Sequence, residues 1–398
     1  MGVEVRPLGV SCNIQCLYCY QNPQRDAANI SQSYDMVKIK EAIELEGGPF
    51  TLFGGEPLML PLADLEDLWS WGHQKYKKNS IQTNGTLISD EHIALFRKYN
   101  VHIGMSLDGP GELNDVRWHG SVANTRASTA KAEAAIEKLC RERLHPSLII
   151  TLHRGNANTD KLPALTEWVR YLSGLGVNKF RLHLLESESQ VIRSKFGLST
   201  DENIDALLEF LRLAREIPQL SFDLFSDMRQ LLIGEDRRSS CVWKSCDPYT
   251  TAAVRGVEGH GQRSNCGRTN KDGIDFVKAG TQGFERYVAL YQTPQEFGGC
   301  KDCRFFLMCK GQCPGTAMDG DWRNRTEHCE VWKAVFEALE KELIAEGIEP
   351  LSIGSRRDEI EKRAIGTWSM GQNASVAQLL GLPDNSSLHA SSPALSAE

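Results

Sequence analysis

The feature that most constrains this chain is a group of three cysteines close to its start, Cys12, Cys16 and Cys19. They are separated by three and by two residues, and they follow the strand-like run from Val3 to Val10. Thiolates are soft ligands that suit iron–sulfur clusters, zinc or copper(I). Structural zinc takes four protein ligands, and the next dozen residues supply no obvious fourth. Three thiolates on a four-iron cluster leave one iron open to a small molecule, so the spacing favours a cluster over a zinc knuckle or free thiols.

The overall composition excludes several other classes of protein. The chain has 398 residues, 41% of them hydrophobic and 24% charged, with a formal net charge of −7, which is typical of a globular protein with more than one domain. No basic run suggests nucleic-acid binding. No stretch reaches the roughly 18 apolar residues of a membrane span, and the first residues do not form a signal peptide. Twelve cysteines therefore favour metal sites over disulfides, and we expect a cytoplasmic protein that does not bind a membrane.

Strand-like runs alternate with amphipathic helical patterns through the first half of the chain. The predicted strands are Glu4–Val10, Phe50–Phe53, Ser80–Thr83, Val101–Leu107, Ser147–Leu152 and Lys179–Leu185. The predicted helices are Tyr34–Glu46, Leu62–Lys77, Asp90–Tyr99, Asn124–Cys140, Asp160–Leu175 and Asp201–Glu216. This alternation predicts an α/β fold with a parallel sheet, and the six units are too few for a closed eight-fold barrel. Ligands of such sheets bind beyond the carboxyl ends of the strands, where the three cysteines are expected.

Three further strand ends carry turn motifs: GGEP at 54–57, TNGT at 83–86 and SLDG at 106–109. Paired glycines let the backbone approach a ligand closely, although GGEP alone could be an ordinary turn. Together with the cysteine motif, these turns resemble the radical SAM superfamily, and Tyr18 fits that family's aromatic position before the third cysteine. The resemblance implies a partial (β/α)6 barrel that binds S-adenosylmethionine, with a four-iron cluster on Cys12, Cys16 and Cys19.

The resemblance also implies which residues contact S-adenosylmethionine. Gly54, Gly55 and Glu56, after the second strand, would hold the methionyl amine. Ser106 and Asp108, at the end of the fourth strand, would meet the ribose, and Tyr18 would lie near the adenine. Arg126 matches a position that pairs with the methionyl carboxylate in the sulfatase-maturase branch. A solvated position in the first turn of a helix is an equally good interpretation of Arg126.

The second half of the chain carries its own cysteine spacing. From Cys246 there are fourteen residues to Gly261 and four more to Cys266. The pattern CxxCx5Cx3C then begins at Cys300, and Cys329 follows it. These spacings match the seven-cysteine pattern of the SPASM branch of the radical SAM superfamily. With Cys241 the half has eight cysteines, enough for two fully ligated four-iron clusters.

The resemblance implies how these eight cysteines divide, because the known family members interleave their ligands. The first auxiliary cluster would use Cys241, Cys246, Cys266 and Cys313. The second would use Cys300, Cys303, Cys309 and Cys329. Zinc competes for CxxC pairs, and the barrel motif favours iron–sulfur. In total we expect three four-iron clusters, one binding S-adenosylmethionine and two auxiliary.

Changes in composition suggest four regions. They are a radical SAM barrel at 1–220, a linker at 221–240 with a hinge over Leu231–Ser240, a SPASM domain at 241–347 and a largely flexible extension at 348–398. A closing helix is predicted from Val331 to about Ala345. Beyond Ser352 we expect little that can join a core, and the last ~25 residues are predicted to be disordered.

The resemblance implies an enzyme that cleaves S-adenosylmethionine to a 5′-deoxyadenosyl radical, which takes a hydrogen atom from its substrate. The predicted function is maturation of a ribosomally made peptide, with one-electron oxidation to a C–C, ether or thioether crosslink. Sulfatase maturases carry an aspartate base after the cysteine that corresponds to Cys266, and Gly267 in that place disfavours formylglycine-type oxidation. A non-enzymatic iron–sulfur redox protein is the rival, but it would not need GGEP or SLDG.

The expected partners follow from this function. They are a precursor peptide and an external electron donor such as flavodoxin or ferredoxin. The barrel starts at Val3, so the leader of the peptide would bind to another surface or to a separate recognition protein. No nucleic acid is expected. No sequence argument chooses a catalytic base among the candidates near the barrel mouth, which are Asp115, Arg117, His119, His183 and Glu186.

Overall fold

A computed structural model of the chain describes residues 3–26, 33–187, 189–244, 246–247, 250, 254–264, 266–268 and 283–383. The strands in these ranges are β1 (Val3–Arg6), β2 (Phe50–Leu52), β3 (Asn79–Thr83), β4 (Val101–Ser106), β5 (Ser147–Leu152), β6 (Lys179–Leu184), β7 (Ser221–Phe222), β8 (Arg255–Glu258) and β9 (Arg263–Ser264). The α-helices are α1 (Asn22–Asp26), α2 (Met36–Glu46), α3 (Leu62–Tyr76), α4 (Asp90–Lys98), α5 (Val122–Arg141), α6 (Arg154–Ala157), α7 (Leu162–Gly174), α8 (Gln190–Phe196), α9 (Thr200–Glu216), α10 (Asp223–Leu232), α11 (Glu285–Gln292), α12 (Phe306–Cys309), α13 (Cys329–Ala345), α14 (Arg357–Ser369) and α15 (Val376–Leu380). None of the helices in these ranges is long and apolar enough to cross a membrane.

The strands form one open sheet in the order β7-β6-β5-β4-β3-β2-β1-β8-β9. All neighbouring strands are parallel except β8 and β9, which are antiparallel. The predicted α/β fold with a parallel sheet is therefore confirmed. The first strand ends at Arg6 and not at Val10, because Pro7 lacks an N–H group and Gly9 adopts a positive φ of 55° in a turn closed onto Arg6.

The two faces of the sheet contact different surroundings. Ile81, Ile103 and Ile150 are buried on the side that packs against the helices. Their neighbours Gln82 and Ile149 point to the other side, where they line internal cavities. This alternation, with a period of two residues, leaves one face of the sheet to line cavities into which ligands can enter from the carboxyl ends of the strands.

The second half of the chain extends this sheet at the free edge of β1. Val3 pairs with Arg255 and Arg6 with Glu258 along β8. The guanidinium of Arg6 also donates to Ser264 Oγ at 2.6 Å and forms an ion pair with Glu258 at 2.6 Å. The barrel and the cysteine-rich region therefore share one sheet.

The prediction of a linker at 221–240 is wrong. The segment holds β7 and α10, and α10 buries five apolar side chains, Leu224, Phe225, Met228, Leu231 and Leu232. Its polar end is fixed as well, because Ser239 is buried and donates to the carbonyl of Asp236. The helix α10 contacts α13 and α12, and the hinge expected over Leu231–Ser240 begins with its last two buried residues, Leu231 and Leu232.

The extension beyond residue 347 also corrects a prediction. In α14, Ile360, Ala364 and Trp368 are buried, and Trp368 lies 4.4 Å from Tyr287 between ring centroids. The backbone N–H groups of Val376 and Ala377 donate to the buried carboxylate of Asp236. Residues 352–383 thus join the core, and the part of the predicted disordered tail from 384 onward lies outside the described residues.

Candidate cofactor site and substrate cavity

The carboxyl ends of β1 to β6 surround a cavity of about 160 Å³. It contains the three cysteines of the first motif together with residues from each of the other strand ends. Its lining residues are Cys12, Ile14, Cys16, Tyr18, Cys19, Tyr20, Gln21, Arg25, Phe53, Gly54, Gly55, Gln82, Thr83, Asn84, Ser106, Arg117, Ile149, Thr151, His183, Leu184, Glu186 and Arg268. Of the residues predicted to contact S-adenosylmethionine, the structure therefore brings Tyr18, Gly54, Gly55 and Ser106 to the three cysteines.

The cysteines themselves suit a cluster better than a single ion. Burial raises the pKa of Cys12 to about 11 and of Cys16 to about 12, so metal binding must displace protons from these thiols. No three His, Cys, Asp or Glu side chains within the described ranges are arranged to hold one metal ion. Tetrahedral zinc would need sulfur atoms about 3.8 Å apart, from Zn–S bonds of about 2.3 Å. A set of three thiols with no other ligand type fits an iron–sulfur cluster.

The GGEP turn packs directly against the cysteine loop. Gly54 has a φ of 117°, which favours glycine, and a Cβ there would lie 2.5 Å from the carbonyl oxygen of Gly9. A Cβ on Gly55 would lie 1.8 Å from the carbonyl oxygen of Ser11, the residue before Cys12. The backbone N–H groups of Gly55 and Glu56 donate to these carbonyls at 3.1 and 2.8 Å. The glycines therefore hold the cysteine loop in place as well as lining the cavity.

Glu56 is bound within the protein. Its carboxylate accepts from Leu58 N at 2.9 Å, Asn84 N at 2.8 Å and Thr83 Oγ1 at 2.7 Å, and the residue is 1% exposed. Burial raises its pKa to about 6, against the opposing effect of these hydrogen bonds. In this structure Glu56 does not line the cavity, and it connects the GGEP turn to the TNGT turn.

The carboxylate of Asp108 is likewise bound by other groups of the protein. Tyr18 Oη donates to its carboxylate at 2.5 Å, Arg117 Nε lies 3.1 Å away, and Thr151 N donates at 2.9 Å. Burial favours a higher pKa for this carboxyl, but Arg117, His153 and Tyr18 together outweigh burial, and the pKa falls to about 2. Asp108 is fully buried and does not line the cavity, so its predicted contact with the ribose is not available in this arrangement. It orients Tyr18 and Arg117, which do line it.

Arg126 lies outside the cavity. It is half exposed and forms an ion pair with Asp115 at 2.9 Å. Two of the predicted site residues therefore pair with each other at the surface. His119 bonds Ser128 Oγ at 2.6 Å and does not line the cavity either. Arg117, by contrast, does line it, as do His183 and Glu186.

A second cavity of about 160 Å³ continues from the first towards the cysteine-rich region. Seven residues line both cavities: Tyr20, Phe53, Ile149, His183, Leu184, Glu186 and Arg268. Arg268 and Glu186 form an ion pair at this junction. Cys241 and Cys266 line the far side. A molecule that fills both cavities would therefore contact the first cysteine motif at one end and the second half's cysteines at the other.

One residue in the second cavity was not anticipated from the sequence. Glu4, in the middle of β1, lines it, and no hydrogen bond or ion pair from any described residue reaches its carboxylate. Burial raises its pKa, while Arg6 opposes the shift. The only signal in the sequence is an acidic residue between two valines of a strand, Val3 and Val5.

The pKa shifts of the cysteines in the second half are influenced by neighbouring thiols within two sets. Burial raises the pKa of most of their thiols, to about 12 for Cys266 and Cys300, and neighbouring thiols of the same group raise it further. In one set, the thiols of Cys241, Cys266 and Cys313 raise the pKa of thiols among Cys241, Cys246 and Cys266. In the other set, the thiols of Cys300, Cys303 and Cys329 raise the pKa of thiols among Cys300, Cys303 and Cys309. Their assignment to two clusters stays a prediction.

Comparison with known proteins identifies the first half. A family model described as the radical SAM superfamily matches residues 7–169, the part of the chain that carries the three cysteines and the turn motifs. The serine-type anaerobic sulfatase-maturating enzyme of Klebsiella pneumoniae is 30% identical over 214 residues, which cover 50% of this chain and 51% of that enzyme. The cysteine-type enzyme of Clostridium perfringens (strain 13 / Type A) is 29% identical over 130 residues, covering 29% of this chain and 35% of that enzyme.

A solved structure shares the fold along most of the chain. The structure described as native anSMEcpe with bound AdoMet and Cp18Cys peptide has a TM-score of 0.65 at 18% identity and covers 86% of this chain and 98% of that chain. The curated relatives match over a shorter range, and the chain spans about half the length of the Klebsiella enzyme.

Proposed function

We propose that this chain, with its radical SAM domain at 7–169, is an enzyme that crosslinks residues of a ribosomally made peptide. The peptide would lose a hydrogen atom from carbon, then one electron and one proton, as a C–C, ether or thioether bond forms. The donor of the reducing electron would be a separate protein of the flavodoxin or ferredoxin class.

The continuity of the two cavities carries this proposal. The first is lined by Cys12, Cys16 and Cys19, and the second by Cys241 and Cys266. A substrate residue placed at the junction beside Arg268 and Glu186 would lie within reach of both groups of cysteines. Hydrogen abstraction and one-electron oxidation need a substrate in that position.

Each part of the chain has a defined task in the proposed reaction. When bound, S-adenosylmethionine and a four-iron cluster on the first three cysteines supply a 5′-deoxyadenosyl radical. Gly54 and Gly55 let the GGEP turn pack against the cysteine loop and line the first cavity. Tyr18, held by Asp108, forms a wall of the same cavity. The eight cysteines of the second half would hold clusters for one-electron transfer.

The acidic groups of the second cavity are candidates for proton transfer. Glu186 is paired with Arg268, so it is held in one orientation. Glu4 has no such partner among the described residues and keeps its carboxylate available to the substrate. Of the two, Glu4 is the better candidate for the carboxylate that binds a cationic group of the substrate or accepts a proton from it.

Oxidation of a sulfatase residue to formylglycine is the second candidate function, and the similarity to sulfatase-maturating enzymes favours it. The surroundings of Gly267 argue against an aspartate base at that position. A Cβ there would lie 2.6 Å from Tyr20 Cε2 and 3.1 Å from Arg6 Nη1, so any side chain would require Tyr20 to move.

One experiment separates the candidates. The full chain, reconstituted with iron and sulfide under anaerobic conditions, is incubated with dithionite and S-adenosylmethionine. It then receives either a short peptide encoded beside its gene or a sulfatase-type peptide with a target cysteine. We expect 5′-deoxyadenosine in all samples and loss of two hydrogen atoms, by mass spectrometry, from the encoded peptide only. Formylglycine in the sulfatase peptide would support the second candidate, and no 5′-deoxyadenosine at all would support the non-enzymatic rival.

A further inference from the structure

Each cysteine of the first motif has a side-chain N–H group directed at its sulfur atom. Asn84 Nδ2 lies 3.8 Å from Cys12 Sγ, Arg117 Nη1 lies 3.9 Å from Cys16 Sγ, and Arg25 Nη2 lies 3.5 Å from Cys19 Sγ. The three donors come from three different places in the sequence. Their arrangement therefore results from the fold and not from the cysteine motif.

The donors are held in place by other contacts. Arg25 Nε donates to the carbonyl of Val10 at 3.2 Å and its Nη1 donates to Asn22 Oδ1 at 3.1 Å. Asn84 Nδ2 also donates to Asn13 Oδ1 at 2.8 Å, and Asn84 Oδ1 accepts from Thr86 N at 3.0 Å. Each side chain is thus fixed near its sulfur before any cluster binds.

Arg117 is fixed in a similar way but in a different electrostatic setting. Its Nε lies 3.1 Å from the buried carboxylate of Asp108, and its guanidinium lies 5.8 Å from the centre of the Tyr18 ring. Asp108 is charged, so it offsets much of the positive charge that Arg117 brings to Cys16.

Arg25 has no such offset. Among the side chains that the structure describes, no carboxylate forms an ion pair with it, although its guanidinium is only partly exposed. Reduction adds one negative charge to an iron–sulfur cluster, and a nearby cation or an N–H group directed at a ligand sulfur stabilises that charge. Since no carboxylate among the described side chains pairs with Arg25, its cation should act most strongly, Arg117 less, and the neutral Asn84 least.

We propose that Arg25, Arg117 and Asn84 raise the reduction potential of the cluster on Cys12, Cys16 and Cys19, with Arg25 contributing most. The inference rests on the proposed function, which places a four-iron cluster there. An external one-electron donor reduces that cluster, and the three side chains make the reduction easier. They are positioning residues, since they act through the cluster and its ligands.

The test is a potentiometric titration of the reconstituted full chain without substrate, followed by electron paramagnetic resonance. The signal that changes when S-adenosylmethionine is added identifies the cluster concerned. In Arg25→Gln we expect the equilibrium constant for one-electron reduction to fall about tenfold, which is about 59 mV to lower potential. Arg117→Gln should shift it less. Arg25→Lys keeps the charge and should shift it least, and the exposed, surface-paired Arg97→Gln serves as the matched control.

Two results would overturn the inference. One is an unchanged potential in Arg25→Gln with full iron content. The other is an unchanged potential together with weaker binding of S-adenosylmethionine, which would assign the arginine to the cofactor's carboxylate. If Arg25→Gln assembles no cluster, Arg117→Gln carries the test, and an unchanged potential there overturns the proposal. A wild-type chain that binds no iron at the three cysteines would instead overturn the proposed function itself.

Discussion

In the sheet that carries the first cavity, alternate residues of each strand pack against helices, whereas the loops between Cys300 and Cys329 are tied together by polar side chains. Arg286 is 1% exposed and donates to the carbonyls of Trp322 at 2.6 Å, Gln312 at 3.0 Å and Asn324 at 2.9 Å. The barrel strands therefore rest on an apolar core, whereas the cysteine loops combine the buried stretch 305–308 with polar contacts and with cysteines that we expect to bind metal.

Removal of iron should produce the largest difference between the two regions. Metal binding and folding are coupled in small metal-rich segments, so chelation should abolish hydrogen-exchange protection between Cys300 and Cys329. The amides of β3, β4 and β5 should keep theirs, because an apolar core holds those strands. Hydrogen exchange with mass spectrometry, before and after anaerobic chelation, measures both regions in one sample. Equal loss of protection in β4 and in the cysteine loops would break the comparison.

A matched pair of cysteine variants should separate the regions by chemistry. Joint replacement of Cys12, Cys16 and Cys19 by Ala should remove about four irons and stop formation of 5′-deoxyadenosine. Cys303→Ala should leave some 5′-deoxyadenosine while the modified peptide disappears, because the open iron lies in the first motif only. Iron analysis and chromatography of both products provide the measurement.

The Cys303→Ala result counts only for a variant that stays soluble and has a circular dichroism spectrum close to that of the wild type. A folded Cys303→Ala enzyme that delivers modified peptide at the wild-type rate would make the second group of cysteines purely structural.

Trp368→Ala should show how far apolar packing supports the second region. Trp368 is 3% exposed and packs on Tyr287, so truncation should cost about 3–5 kcal/mol of the free energy of unfolding. Met370→Ala is the control, since Met370 is 67% exposed in the same segment and should cost little. Denaturant unfolding of the metal-loaded chain measures both. A loss below that of Met370→Ala would show that 352–383 adds nothing to stability.

The smallest expected effect belongs to Glu56, a polar connection within the barrel. Its pKa of about 6 lies above the ordinary value of 4.5, so the folded state binds the proton more tightly. Stability should therefore fall as pH rises from about 4.5 to about 6, by about 2 kcal/mol in total. Glu56→Gln should remove that part of the pH dependence, measured by denaturant unfolding across this range. An unchanged pH profile in Glu56→Gln would show that another group is responsible.

The barrel could be predicted from the sequence because its signals are local. Alternating strand and helix patterns placed β5 at its observed bounds and the ends of α9 within one residue. The turn motifs at strand ends then brought Cys12, Gly54 and Ser106 together, since parallel strands end at one edge.

The errors and omissions arose where the signal is weak or non-local. In α14 the buried stripe is Ile360, Ala364 and Trp368, spaced by four residues, and charged residues between them hide it. Asn84 and Glu4 could not be assigned to the site, because their positions near the cysteines depend on contacts between distant parts of the chain. Arg25 lies only six residues after Cys19, but no motif singles it out.

The pairing of β8 with β1 has a consequence for how the chain is made. Val3 pairs with Arg255, so one edge of β1 has no partner until the ribosome has produced the whole barrel and the start of the cysteine-rich region. At about 5–20 residues per second this interval is on the order of ten seconds or more. An unpaired strand edge is a site for wrong association, and charged residues reduce that hazard. We expect Glu4 and Arg6 in β1 to reduce that hazard during synthesis, before either takes up its place in the finished protein.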